Sequence, residues 1–143
     1  MTHSRRPALI AAAGVALLAS CSSGSSVNAN STTVTETDSS LTASPSTVAS
    51  GPVTVTVHNK GQLAHELVVF RTDLDENALP LEPDGHKIDE EGSGITHLDP
   101  EAEDIDPGGS QTITVDLPAG RYVFVCNVAD HYKQGMHAVV TST

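Results

Sequence analysis

"LPAGRYVFVCNVADHYKQGMHAVV", residues 117–140, sets a strand, a loop and a second strand around three soft donor atoms. Pro118-Ala119-Gly120 reads as a turn, and Tyr122, Phe124 and Cys126 then recur at period two on one face of a strand. Cys126, His131 and Met136 follow one another at even five-residue steps, and a last strand covers roughly residues 136–141. Cys126 therefore sits at a strand end, aimed at the same interior as two aromatics.

The strand reading extends upstream. "SQTITVDL" pairs naturally with the strand after the Pro118 turn and turns Ile113, Val115 and Leu117 inward. "GPVTVTVHNKG" alternates strictly, with Val53, Val55 and Val57 on one face and Thr54, Thr56 and His58 on the solvated one, before Asn59-Lys60-Gly61 turns the chain. "HELVVFRT" is a mostly apolar strand. Seven or so short strands joined by turns predict an all-β, Greek-key β-sandwich, with a closed β-barrel as the alternative. The pattern breaks over residues 72–109, where 13 of the 18 carboxylates fall between Asp73 and Asp106. Apart from one or two helical turns at "LDENAL", this segment reads as a long acidic loop inserted in the β domain. His86 and His97 lie in it among Asp and Glu, where a solvated loop and a hard-metal site are the alternatives.

The amino terminus is a different kind of sequence. Arg5 and Arg6 precede an apolar run from Pro7 to Ala19, too short to span a bilayer comfortably, as in a secretory signal. "LASC" at residues 18–21 resembles a bacterial lipobox, which predicts a lipoprotein signal peptide over 1–20 and lipidation of Cys21. "SSGSSVNANS" then reads as a flexible tether to residue 31, and the domain proper spans 32–143. Cleavage before Cys21 leaves five basic residues against 18 acidic ones, a formal charge of −13 in place of −11. That balance argues against nucleic acid and leaves room for a basic docking partner. With Cys21 lipidated, Cys126 is a lone thiol in an oxidising compartment, a liability unless buried or ligated.

Thiolate, imidazole and thioether together suit copper among the first-row metals. A cysteine and a histidine from one loop leave a trigonal site one ligand short, and His65, at the start of "HELVVF", is placed to supply it. "NKGQLAHELVV" followed by "LPAGRYVFVCNVADHYKQGM" resembles the cupredoxin family of small blue copper proteins related to plastocyanin, in its bacterial exported form. The resemblance covers about residues 32–143. It implies one copper ion cycling between Cu(I) and Cu(II), held by His65, Cys126 and His131 with Met136 as a weak axial ligand. Two departures stand out: Glu66 follows the first histidine where many relatives have Asn or Ser, and Asp130 precedes His131 where Gly is common.

The expectation is a monomeric, lipid-anchored type 1 copper protein on the extracytoplasmic face of the cell membrane. It passes single electrons between redox partner proteins and is not itself an enzyme, because a closed four-ligand site leaves no position for substrate. A copper-binding or trafficking lipoprotein and a metal-free interaction module are the rival readings.

Overall fold

The computed structural model describes residues 30–143; the expected signal peptide, Cys21 and all but the end of the tether lie outside the described residues. The described chain forms β1 (Ser31–Thr37), β2 (Ser40–Ser44), β3 (Thr47–Val48), β4 (Gly51–Asn59), β5 (His65–Thr72), β6 (Ile95–Ile105), β7 (Ser110–Leu117), β8 (Gly120–Val125) and β9 (His137–Ser142). Its helical content is one 3-10 turn, Tyr132–Gln134. The strands make two sheets, ordered β2-β1-β4-β7 and β3-β9-β8-β5-β6. β1 lies parallel to β4 and β3 parallel to β9; the other pairs are antiparallel. This is the expected β-sandwich.

Side-chain alternation builds the layer between the sheets. Val53 of β4 pairs with Val115 of β7 and Val55 with Ile113, and Val53, Val55, Val57, Val115 and Leu117 with Val34 of β1 pave the first sheet. Leu67 and Val69 of β5, Tyr122 and Phe124 of β8 and Val140 of β9 supply the opposing face. Ile113 is only partly buried, at the edge of that core. The Tyr122 hydroxyl donates to the Pro118 carbonyl at 2.5 Å, closing the β7–β8 turn that the sequence predicts.

The other face of the second sheet is buried too. Val68 and Phe70 of β5 with Val123 and Val125 of β8 pack against Leu79, Ile88 and Tyr132. This explains why "HELVVF" and "YVFV" are apolar without alternation: both faces of these central strands are dry. Two of these covering residues, Leu79 and Ile88, come from the acidic segment. Residues 73–94 form turns and a single bridge, Leu81 to Ile88, with no helix at "LDENAL". Residues 95–105 are an eleven-residue strand, β6, paired along β5. The loop expected over 72–109 is thus a covering flap followed by a sheet-edge strand. Burying Leu79 and Ile88 contributes about 1.5–3 kcal/mol each, which a solvated loop could not.

Three side chains pin the flap. Arg121 donates to the Leu74 carbonyl at 2.6 Å and to Glu76 at 2.7 Å. The Tyr132 hydroxyl donates to the Glu76 carbonyl at 2.8 Å and accepts from the Leu79 N–H at 3.0 Å. Asn127 grips the backbone of Ile88. Two of the three pins belong to the loop that carries the metal donors.

Candidate metal centre

His65 opens β5, Cys126 follows the last residue of β8, and His131 caps the 3-10 turn, so one donor comes from the sheet and two from the loop between β8 and β9. The loop is closed by its own backbone. Cys126 N–H donates to the Met136 carbonyl at 3.0 Å, Met136 N–H to the His131 carbonyl at 3.2 Å, and His131 N–H to the Val128 carbonyl at 3.0 Å. Asp130 takes φ 68° and Gly135 φ 99°, the two left-handed corners of the loop. The first accounts for the departure noted at Asp130: glycine suits that conformation, and a short acid tolerates it. Its carboxylate is held by His86 Nδ1 at 2.9 Å and Lys133 Nζ at 3.2 Å.

The three donors converge. His65 Nδ1 lies 3.2 Å from His131 Nδ1, and Cys126 Sγ lies 3.4 Å from His131 Nδ1 and 3.7 Å from His65 Nδ1. The point equidistant from the three atoms is about 2 Å from each, close to the bond length of a first-row divalent ion to imidazole or thiolate. Cys126 and Met136 are fully buried in the sandwich core, while His65 and His131 are 1% and 6% exposed. The donor set and its triangle fit one copper ion.

Without a cation these groups are in an unfavourable state. Burial pushes the Cys126 thiol up to about 12, with Glu36 and Glu66 adding to the shift, while backbone N–H groups of Glu66 and Val128 oppose it by favouring the thiolate. Burial likewise lowers the His131 pKa, and His65 adds to the effect. Both shifts leave the imidazole neutral and available to ligate. A bound ion deprotonates the thiol outright, which reverses the cost of burying it.

Around the donors stand residues that the sequence alone did not single out. Asp38, in the β1–β2 turn, accepts from the N–H groups of Gln62 at 2.8 Å and Leu63 at 3.0 Å, and its Oδ1 lies 3.3 Å from His65 Nε2. Nε2 makes no aligned hydrogen bond at that distance, but the carboxylate stands where one can orient a metal-binding imidazole from its far nitrogen. Those backbone hydrogen bonds, the Leu63 one foremost, hold its pKa below the usual aspartate value. Gly61 permits this approach, because a Cβ there would collide with Asp38 Oδ1 and stand 2.8 Å from His65 Nε2. Asn59 fixes the same loop, donating to the carbonyls of Leu63 and Ile105 and accepting from Gly61 N–H. Of the remaining histidines, His58 meets Ser110 at 2.6 Å and His137 packs on Tyr132.

The comparisons agree with the geometry. The cupredoxin-like domain family matches residues 9–140. The fold is similar to that of dithionite-reduced auracyanin from Roseiflexus castenholzii, at 25% identity and a TM-score of 0.58, over 80% of this chain and 97% of that one. An azurin from Methylomonas sp. strain J shares the fold at 16% identity and a TM-score of 0.52, over 79% of this chain and 97% of that one. A rusticyanin variant does so at 17% and 0.54, over 80% and 78%. None of the curated proteins matches by sequence. With most of its length matched and a His-Cys-His triangle at the end of its central strands, the chain belongs to the cupredoxin-like family.

Proposed function

We propose that the protein is a type 1 copper electron carrier of the cell envelope, with His65, Cys126 and His131 as equatorial ligands and Met136 as the axial one. The observation that carries this reading is the buried triangle of 3.2, 3.4 and 3.7 Å, built from one cysteine sulfur and two imidazoles. Copper held there supplies a one-electron couple between Cu(I) and Cu(II).

The chain's own contribution is to keep the donors still. Asp38 stands 3.3 Å from the far nitrogen of the His65 ring, the closed hydrogen bonds of residues 126–136 fix Cys126 and His131, and the core excludes water from Met136. A rigid donor set needs little rearrangement between oxidation states, which favours rapid transfer to redox partner proteins. The same burial speaks against a trafficking role, which calls for exposed and exchangeable donors. It also leaves no side for a substrate, in keeping with a carrier and not an enzyme.

Location rests on the amino terminus: "LASC" at residues 18–21 supports a lipid anchor on Cys21 and the extracytoplasmic face of the membrane. Acyl chains on Cys21 by mass spectrometry would support the anchor, and an unmodified Cys21 on secreted protein would refute it. The acidic surface, with its formal charge of −11, suits a basic partner.

The deciding experiment is Cys126→Ser. The copper-loaded wild type is expected to show an intense visible thiolate-to-copper band and a narrow hyperfine splitting, and the variant to lose both while still folding. A variant that stayed blue would refute the assignment.

A further inference from the structure

Among the described residues, one other group of donor side chains gathers: Glu90, His97 and Glu101, whose ligand atoms lie within 4.8 Å of one another. Its assembly requires an irregular strand. Residues four apart in a regular strand are separated by about 13 Å, yet His97 Nε2 and Glu101 Oε1, both on β6, are 2.8 Å apart. The register accounts for this. Val69 of β5 faces Leu98 and Leu67 faces Ala102, so a two-residue step on β5 is matched by four residues on β6. The surplus residues buckle out and fold Glu101 back onto His97. Bulges of this kind re-aim side chains and concentrate beside functional sites.

The third donor arrives from the flap and is held in place. Asn127, only 2% exposed, donates to Glu90 Oε1 at 2.9 Å. Glu90 Oε2 is left facing His97 Nδ1 at 3.7 Å, too far for a hydrogen bond. His97 Nε2 is buried and makes no aligned hydrogen bond despite its approach to Glu101. The ring itself is fixed against Phe70, centroid to centroid 5.8 Å. An imidazole is thus clamped between two carboxylates, with neither nitrogen in a proper hydrogen bond. The two carboxylates crowd each other: burial and then Glu90 raise the Glu101 pKa above the usual glutamate value, with His97 opposing the shift. A cation reverses the sign of that interaction.

We propose that Glu90, His97 and Glu101 form a second cation site, which takes a borderline divalent first-row ion such as Zn2+ through one imidazole nitrogen and two carboxylates. Its chemistry separates it from the first centre. With no thiolate or thioether it does not select Cu(I), and the imidazole favours a transition ion over Mg2+ or Ca2+. Three protein ligands at a half-buried position leave room for water on the ion. Because Asn127 follows Cys126 and also binds Glu90, an ion here cross-links the flap, β6 and the loop that carries the first donor set.

The test is calorimetric titration of zinc chloride into the full-length protein, loaded with copper beforehand so that His65, Cys126 and His131 are occupied. The wild type is expected to bind one equivalent saturably. Glu90→Gln/Glu101→Gln and His97→Gln should each weaken that binding at least about tenfold, while the visible copper band reports an intact fold. Glu82→Gln/Asp84→Asn removes the same charge from the flap and should leave zinc affinity unchanged. Absence of a saturable equivalent in the wild type overturns the proposal. So does equal weakening in the Glu82/Asp84 control, which would mean diffuse attraction to an acidic surface. Failure of the copper reading would look different: zinc would then fill two sites, only one of them sensitive to Glu90 and Glu101.

Discussion

Asn127 and Ile88 exchange two hydrogen bonds: Asn127 Oδ1 accepts from the Ile88 N–H at 2.7 Å, and its Nδ2 donates to the Ile88 carbonyl at 3.2 Å. The side chain next to Cys126 thus completes the backbone of a residue 39 positions earlier, in the flap. Asn127→Ala would leave both buried groups unpaired, each costing about 1–3 kcal/mol. The variant should lose about 2–6 kcal/mol by urea unfolding, and hydrogen exchange should show its protection fall first around Ile88. Unchanged stability would mean that the flap is held by Arg121 and Tyr132 alone.

Glu36 should make stability depend on pH. It lies on the inward face of β1, fully buried, and neither carboxyl oxygen has a partner. Burial, with Glu66 adding to it, raises its pKa from 4.5 to about 8. Between those values the folded state keeps a proton that the unfolded chain has released. The stability this group contributes is therefore fully present below pH 4.5, falls as pH rises, and is gone above about 8. Glu36→Gln removes that slope, so the variant should match wild type near pH 4 and exceed it near pH 9 by an amount on the order of several kcal/mol. Parallel stability-versus-pH curves for the two proteins would refute a buried neutral carboxyl.

How much of this was legible in sequence depends on the range of each interaction. Period-two alternation marked β4 and β7, which have one dry face, and the Pro118-Ala119-Gly120 turn marked the start of β8. The donors His65, Cys126, His131 and Met136 could be read because three share one loop and the fourth opens a strand. Asp38 could not: "TETDSSL" signals a turn, but its approach to His65 exists only once the β1–β2 hairpin meets the connection from β4 to β5. β6 was hidden for another reason. Asp, Glu and Pro dominate "ITHLDPEAEDI", and its bulged pairing destroys the alternation that would have revealed it. The flap looked solvated because the charge of its eight carboxylates masks the few residues, Leu79 and Ile88, that do the covering.

Asp38 should govern metal retention more than folding. Asp38→Asn keeps an oxygen for the N–H groups of Gln62 and Leu63 but removes the charge beside His65 Nε2. Competition against a copper chelator should show affinity lowered about 10–100-fold, with far-ultraviolet circular dichroism unchanged. Gly61→Ala should do the same by pushing Asp38 and the His65 ring apart. Wild-type affinity in both variants would show that the His65 ring needs no orienting partner.

Met136 should tune the site without holding it. A thioether is the weak, axial member of such a donor set, and its side chain is buried in the core that surrounds Cys126. Met136→Gln should keep copper and lower the reduction potential, since an amide oxygen is the harder donor and favours Cu(II). Met136→Leu should raise it. Loss of copper from both would make Met136 a structural ligand.

Glu66 should couple that potential to pH. Its backbone N–H points toward Cys126, and its half-buried carboxyl shares a field with Lys87, Glu101, Glu90 and Glu103. Burial raises its pKa above the ordinary glutamate value; Lys87 opposes the shift and the three glutamates reinforce it. An ionised carboxylate stabilises the more positive Cu(II) state, so the potential should fall as rising pH ionises Glu66. Thermodynamic linkage then requires Glu66 to bind its proton more tightly in the reduced protein. Glu66→Gln keeps the shape and removes the charge. It should raise the potential at neutral and higher pH and flatten the part of the profile that belongs to Glu66. His131 can also take up a proton when the ion is reduced, and that part of the profile should survive in the variant. Voltammetry of wild type and Glu66→Gln across the same pH range separates the two. Superimposable curves would mean that solvent screens Glu66 from the centre despite its burial.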